Sequence, residues 1–406
     1  MILTYKYRIY PSSKQIEKIG HNFAVCKEVY NKLLDLNINN YKDQKKSLNK
    51  YNFNNYLSGN HKQVYSQVIQ NVSDRVSKSF QNFYRRVKDK TCKKKGFPRF
   101  KQRVKSITYP QSGFKLNEKL YCSKIGNIPI KLHRDLKGKV KTLTIKQNKA
   151  NQYFACFSVE INNKKIKYKS NKEIGIDLGL NSFIALSNGN KVNNPKYLRN
   201  SELRLKKLQR RLSRKKKGSK NRKKFILRVA KLHNKIQNQR IDFLHKLSYN
   251  LTKSYSLIAI ENLNINGMVK NRHLSKSISD ASWNTFIQML SYKAVTCGGQ
   301  LMKVNPGNTT KECNNCKNIM EMPLSKRTFI CDKCGLNLDR DVNAALNIYS
   351  RAGQARTHTP VDRPASIRTF LKKKTSLKKE SIGKEISKLE ETGTICIKNN
   401  LNDSKN

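Results

Sequence analysis

The sequence predicts a multidomain α/β protein, on three observations. The 406 residues suffice for two or three domains with sizeable cores. Apolar residues recur at helical spacing near the start and again past the midpoint. Between these stretches lie short alternating or wholly apolar runs of strand type. Hydrophobic residues make up 37% of the chain and aromatics 8%, which excludes a disordered tail as the whole molecule.

Leu3, Tyr5, Tyr7 and Ile9 alternate with polar residues and predict an opening strand. Ser12 and Gln15 have the spacing of a capping box at a helix start. Ile16, Ile19, Phe23, Cys26, Tyr30 and Leu33 then line one helical face for about five turns. Val68, Val72, Val76, Phe80, Phe83 and Val87 form a second such face. Lys93 to Lys101 interleaves cations with Phe97 and Phe100. It is either a basic loop anchored by its two rings or a nucleic-acid contact, with Lys94, Lys95 and Arg99 on phosphates and Phe97 on a base.

Short strands follow from Tyr109 to Ile161, clearest at Tyr153, Ala155, Phe157, Val159 and Ile161. A new unit opens at Glu173 with an apolar hairpin that carries an acid, Asp177, in its first strand and turns near Gly189. Of the 42 residues from Arg199 to Arg240, 18 are Lys or Arg, and Glu202 is the only acid. An apolar stripe through Leu203, Leu208, Leu212, Phe225, Val229, Leu232 and Ile236 makes this segment two docked helices. Leu257 to Ile260 is a short buried strand that ends at Glu261, and Trp283 to Ala294 is an amphipathic helix. After about Phe370 apolar periodicity is lost and lysine blocks appear, so a weakly ordered tail is expected.

Lys plus Arg number 85 against 26 Asp plus Glu, a net charge of +59. That excess repels itself in a compact state unless a polyanion binds, and nucleic acid is the polyanion it suits. A basic solvated surface of the ribosomal-protein kind fits the charge equally. A membrane surface does not, because the cations are not gathered on one amphipathic helix. No secretory leader is evident at residues 1–12, and no apolar run approaches a membrane span.

Six of the ten cysteines are scattered (Cys26, Cys92, Cys122, Cys156, Cys297, Cys396) and are expected to be core residues or free thiols in a reducing cytosol. The other four form two CxxC pairs, Cys313/Cys316 and Cys331/Cys334, fourteen residues apart. Two turns of that size complete a tetrahedron of thiolates, so a closed structural zinc site is predicted.

In a chain so poor in carboxylates, three acids stand out. Asp177 lies inside an apolar strand, Glu261 ends another, and Asp341 stands at the start of a helical run, Arg340 to Ala345. Each has a plain alternative: Asp177 a turn acceptor, Glu261 a lysine partner, Asp341 a helix N-cap. Together they suit Mg²⁺ or Mn²⁺ in a two-ion site, with Asp177 bridging and Glu261 and Asp341 each securing one ion. Periodicity does not establish that the three converge.

At these residues the sequence resembles the TnpB proteins of bacterial and archaeal insertion sequences, long called accessory transposases and related to type V CRISPR effector nucleases. The resemblance is carried by Arg8-Ile9-Tyr10-Pro11 with Gln15 and Val29-Tyr30-Asn31, and by Gly96-Phe97-Pro98-Arg99-Phe100. It continues through Gly175-Ile176-Asp177-Leu178-Gly179 and Ile260-Glu261-Asn262-Leu263, the first two RuvC motifs. Trp283 to Ala294, Pro306 to Thr310 and Arg340 to Ile348 complete it. Lys317 stands where the family usually has glycine, which loosens that knuckle's turn.

The resemblance implies a wedge, or oligonucleotide-binding-like, β-barrel domain over about 1–10 and 101–170, with a helical recognition lobe at about 11–100. An RNase H-like RuvC domain would follow at 171–350, with a basic helical insertion at about 196–250 and an inserted zinc ribbon at about 306–337, before a basic tail at 351–406. It implies an RNA-guided DNA endonuclease, cytoplasmic, nucleoid-associated and prokaryotic, with a guide RNA from the transposon end and double-stranded target DNA as partners, and a monomer as the expected state. Arg210, Arg211, Arg214, Lys215 and Lys216 are the candidate backbone contacts in the basic helices. A transposase or transposition factor whose acids join strands, and a non-cleaving DNA-binding repressor, are the alternatives.

Overall fold

The computed structural model describes residues 2–92, 94–161, 171–323 and 325–357. The chain divides into two compact units at residues 162–163.

In the first unit β1 (Ile2–Ile9) leads into α1 (Ser13–Gln44), α2 (Lys50–Leu57) and α3 (Ser66–Lys88). Six further strands follow: β2 (Ser106–Tyr109), β3 (Phe114–Leu116), β4 (Lys119–Cys122), β5 (Gly126–Lys131), β6 (Lys139–Gln147) and β7 (Tyr153–Glu160). All seven strands form one barrel-like sheet in the order β2-β6-β7-β1-β5-β4-β3. The opening strand sits at its centre, antiparallel to β7 from Ile2↔Glu160 to Ile9↔Tyr153. The period-2 pattern of β7 buries Tyr153, Ala155, Phe157 and Val159, because alternate side chains of a strand share one face.

Ser12 caps α1 as its spacing predicts, with Gln15 returning the second bond of the box. The helix runs 32 residues, well beyond the five turns its apolar face suggests. Past Leu34 it is held by partly buried Leu36, Ile38 and Tyr41 and by buried Asn37, which accepts from the Leu48 backbone N–H, and Lys45 ends it in the left-handed region. Ile16 is 41% exposed and stands outside the core. All six apolar residues of the second predicted face are buried in α3. Phe97 packs edge-on against Phe80 and Phe83 and so anchors its loop, whereas Phe100 is 49% exposed and is the ring left open. Arg86 fixes the same loop through the carbonyls of Lys95 and Gly96. Lys94 and Arg99 are exposed and Lys95 half-buried.

The second unit opens with β8 (Glu173–Leu178), β9 (Ser182–Leu186) and β10 (Lys191–Asn193). Helices α4 (Tyr197–Asn200), α5 (Glu202–Ser213) and α6 (Lys220–Ser254) follow, then β11 (Leu257–Glu261). Next come α7 (Ile265–Met268), α8 (Ser275–Ala281), α9 (Trp283–Thr296) and β12 (Gln300–Val304). A two-stranded ribbon, β13 (Thr328–Ile330) with β14 (Asn337–Asp339), runs into α10 (Arg340–Thr357). The main sheet is ordered β10-β9-β8-β11-β12, with β8 antiparallel to β9 and parallel to β11, which in turn is parallel to β12.

Strand alternation divides this sheet's residues between its two faces. Ile174, Ile176, Leu178, Ile258 and Ile260 join Leu244, Leu251, Phe286 and Leu290 in one core with α6 and α9. Leu257 and Ala259 point the other way and pack on Ile348 and Ala352 of α10. The basic segment folds as two docked helices over a small core of Leu205, Leu232 and Ile236. Leu203 is 84% exposed, so the seam passes through Leu205 and not through the residue two before it. No helix among the described residues is long and apolar enough to cross a membrane. Of the tail expected at 351–406, residues 351–357 instead continue the last helix, and from 358 onward the chain lies outside the described residues.

Candidate active site and metal centre

Three long-range placements build the acidic cluster. Leu257 to Ile260 stand level with Glu173 to Ile176 on neighbouring parallel strands. One step further brings Asp177 level with Glu261 at adjoining strand ends, with backbones about 4.8 Å apart. Residues two apart in a strand share a face, so Asp177 shares the face of Gly175, and Glu261 that of Ala259 and Leu257. That is the face covered by α10.

Gly175 sets how closely the helix approaches: a Cβ there would overlap the Ala345 carbonyl oxygen and lie 2.8 Å from the Tyr349 backbone nitrogen. From Gly175 to Asp177 is two strand residues, about 6.6 Å. From Ala345 back to Asp341 is one helical turn, about 6 Å. The two displacements match in length, and Asp341 lies close enough to raise the Asp177 carboxyl electrostatically.

The local chemistry removes the plain alternatives of Asp341 and Glu261. Asp339 caps α10, accepting from the backbone N–H groups of Asp341 at 2.9 Å and Val342 at 3.2 Å. Asp341 is therefore spared that task; it lies 3.4 Å from Arg340 and 3.9 Å from Arg327, with its side chain 14% exposed. Glu261, 7% exposed, accepts the hydroxyl proton of Thr309 and not a lysine. Asp177 is 8% exposed. Burial first, and then the Glu261 and Asp341 carboxylates, push its carboxyl up to about 8, against the pull of Arg340 and the Leu178 N–H. Burial also raises Glu261, opposed by Thr309 and Arg351. The Asp177 carboxyl stays raised although Arg340 is near, so a further cation would be favoured there, and carboxylate oxygens are the donors that suit Mg²⁺ or Mn²⁺.

The four cysteines converge independently. Their Sγ atoms all lie within 4.8 Å of one another. The pairs Cys313–Cys334 and Cys316–Cys331 are 3.6 Å and 3.5 Å apart. Tetrahedral zinc with sulfur at about 2.3 Å sets its ligands about 3.8 Å apart, so the donor set fits that ion. The Leu336 N–H, followed by the neighbouring thiols, pulls Cys334 down to about 6, toward the thiolate a metal needs. The turn after the first pair puts Lys317 at φ 62°, matching Gly335 at φ 71° after the second. An L-residue there is strained by about 1–2 kcal/mol, which is the loosening its non-glycine identity predicts.

The candidate nucleic-acid residues of the hairpin are mostly open: Arg210, Arg211, Arg214 and Lys216 are exposed, and Lys215 leans on the Phe225 ring at 5.5 Å. Arg222 ties the two helices by donating to the carbonyls of Leu212 and Lys215.

Sequence reasoning gives no task to a set of residues that hold these groups: Gly175, Asp339, Thr309, Asn343, Asn347 and Arg351. The last three recur at every fourth position of α10, a polar stripe that the sequence shows as two amides and an arginine at helical spacing.

The chain also matches known families. Residues 156–272 match a family described as a probable transposase of the OrfB/IS605 type, and residues 283–348 match the Cas12f1-like TNB domain. Residues 1–46 match a family described as a helix-turn-helix domain; here that span is one strand and one long helix.

A candidate RNA-guided DNA endonuclease of Streptomyces pristinaespiralis is 33% identical over 360 residues, covering 85% of this chain and 88% of its own. Another, from Escherichia coli K12, is 29% identical over 311 residues, covering 71% and 75%. A TnpB-like protein of Methanocaldococcus jannaschii is 30% identical over 135 residues, 32% of this chain and 31% of that one. Identity of that extent, running through both units, makes this chain a member of the TnpB (OrfB) family of insertion-sequence proteins.

Proposed function

We propose that this chain is an RNA-guided, divalent-metal-dependent DNA endonuclease of a transposable element, cutting beside a short target-adjacent motif. What supports the reading is the strand register that runs Asp177 and Glu261 to neighbouring strand ends, with Asp341 close enough to act on the Asp177 carboxyl, in a protein of net charge +59. The names of its relatives support the same activity. The second unit then serves as the RNase H-like RuvC domain, its 313–334 segment as a structural zinc ribbon, and the first unit as the wedge domain with its recognition lobe.

Two divalent ions would supply an activated water and a stabilised leaving oxygen. The residues do the positioning. Asp177, which feels both of the other carboxylates, would hold ions together with each of them. Glu261, with Oε1 engaged by Thr309, offers Oε2, and Asp341, relieved of capping by Asp339, offers its carboxylate from the helix start. The exposed cations of Arg210 to Lys216 are suited to phosphates of guide RNA or heteroduplex.

The family description as a transposase favours a second reading, in which the acids join transposon ends. Sequencing the RNA that co-purifies, then offering a plasmid matching its guide segment, separates the two. Cleavage that needs the RNA, is lost in Asp177→Ala and leaves RNA binding intact is expected. Full activity in that variant refutes the site, and strand joining without RNA favours the second reading.

A further inference from the structure

Thr309 lies in the loop that leaves β12 and ends at the first zinc-type knuckle. After the last ladder bond, Asn262 N–H to the Val304 carbonyl, the chain turns through Asn308 at φ 57° and buries Thr309 to 3% exposure. A hydroxyl has one proton to give. Glu261 Oε1 takes it, the Pro306 carbonyl being the weaker choice at 3.5 Å. A hydrogen bond donated to Oε1 restrains the carboxylate and leaves Oε2 as the oxygen free to take a cation.

The loop itself is clamped from α10. Asn347 donates to the carbonyls of Thr309 at 3.0 Å and Glu312 at 2.7 Å, and Asn343 donates to Glu312 at 2.8 Å while accepting from the Asn314 N–H. Arg351 donates to the carbonyls of Asn305 and Gly307 and pairs with the Glu312 carboxylate at 2.5 Å. Asn347 spends both amide protons on the loop although its own Oδ1 is buried with no hydrogen-bond partner among the described residues. A buried amide that leaves its acceptor bare is destabilising by itself, so its place is set by the two carbonyls it holds. Only Thr310, Lys311 and Glu312 separate Thr309 from Cys313.

We propose that Thr309 is a positioning residue for Glu261, clamped by Asn347, so that the loop carrying the first pair of cysteines also sets how tightly the acids hold a divalent ion. This rests on reading the three acids as a divalent-ion site, and the experiment separates the two ideas. Mn²⁺ is titrated into full-length, zinc-loaded protein and free Mn²⁺ is counted by electron paramagnetic resonance, with no cleavage step involved.

Thr309→Val, of the same shape without the hydroxyl, is expected to weaken Mn²⁺ binding by about 10- to 100-fold, the usual effect of removing a group that orients a metal ligand. Thr309→Ser is expected to bind close to the parent, and Asn347→Leu to weaken binding as Thr309→Val does. If Thr309→Val fails to melt cooperatively, Thr309→Ala, which adds no bulk, takes its place with the same expectation. Parental affinity in a folded variant without the hydroxyl overturns the positioning role while leaving the acidic site in place. Parental protein whose Mn²⁺ binding is unchanged by Asp177→Asn overturns both.

Discussion

Replacing Asp177 by Asn should stabilise the metal-free protein, and by an amount the structure bounds. The Asp177 carboxyl titrates near 3.8 when free and is pushed up to about 8 in the fold. Between those values the folded chain holds a proton that the unfolded chain has released, so the free energy of unfolding falls as pH rises through that window. The penalty is absent below about pH 4 and complete above about pH 8. At about 1.4 kcal/mol per pH unit the full span is about 6 kcal/mol, an upper limit.

Relaxation and water entry reduce such penalties. If half survives, the midpoint of a unit this size rises by roughly 6–12 °C in Asp177→Asn at high pH. Asparagine keeps the shape and cannot ionise, so the gain should vanish in acid. The assay is thermal unfolding of the RNA-stripped, zinc-loaded full chain in high salt without added Mg²⁺ or Mn²⁺, at about pH 5 and about pH 9. Millimolar Mg²⁺ should then stabilise the parent at the higher pH and leave Asp177→Asn unmoved. An Asp177→Asn protein no more stable than the parent at the higher pH would show that Asp177 is not held against its neighbours.

Three more outcomes are expected. Gly175→Ala must displace α10, because its Cβ meets the Ala345 and Tyr349 backbone; a loss of about 3 kcal/mol or more of stability and of Mn²⁺ binding should result, by denaturant melts and titration. Cys334→Ser, or chelation of zinc, should release the segment that delivers Asp341 and so abolish cleavage, with zinc restoring the chelated parent but not the variant; structural zinc sites carry about 10–16 kcal/mol of apparent binding free energy. Neutralising Arg210, Arg211, Arg214 and Lys216 to Gln should flatten the log–log dependence of RNA affinity on salt by up to about 3, since each phosphate no longer neutralised on a single strand removes about 0.7 from the slope. An unchanged slope would make that face merely solvated.

The acids are legible because their surroundings are so apolar: Asp177 between Ile176 and Leu178, Glu261 after Ile260. Their meeting is not, since about eighty positions separate one from the next and only strand register and helix placement bring them together. Gly175 illustrates why. Its sequence signal is that of any glycine in a strand, and its task, admitting the Ala345 carbonyl, exists only once α10 is docked. Local capping is readable at Ser12 because the box spans four residues, whereas at α10 two aspartates compete for one cap and the hydrogen bonds choose Asp339. Leu203 falls outside the seam for a related reason: in a helix this rich in leucine several stripes fit the period, and docking on α6 selects Leu205.

The central position of β1 has a consequence for how the chain is made. Ile2–Ile9 finds its main partner, Tyr153–Glu160, only after some 150 further residues have been synthesised, roughly 8 to 30 s at ribosomal rates of about 5–20 residues per second. During that wait a tyrosine-rich strand has both hydrogen-bonding edges bare and is open to pairing with other nascent chains. Lys6 and Arg8, which in the finished sheet lie over the Phe154 ring at 4.1 Å and 5.1 Å, interrupt it with charge. The same two cations thus act as gatekeepers of the newborn chain before they become part of its surface.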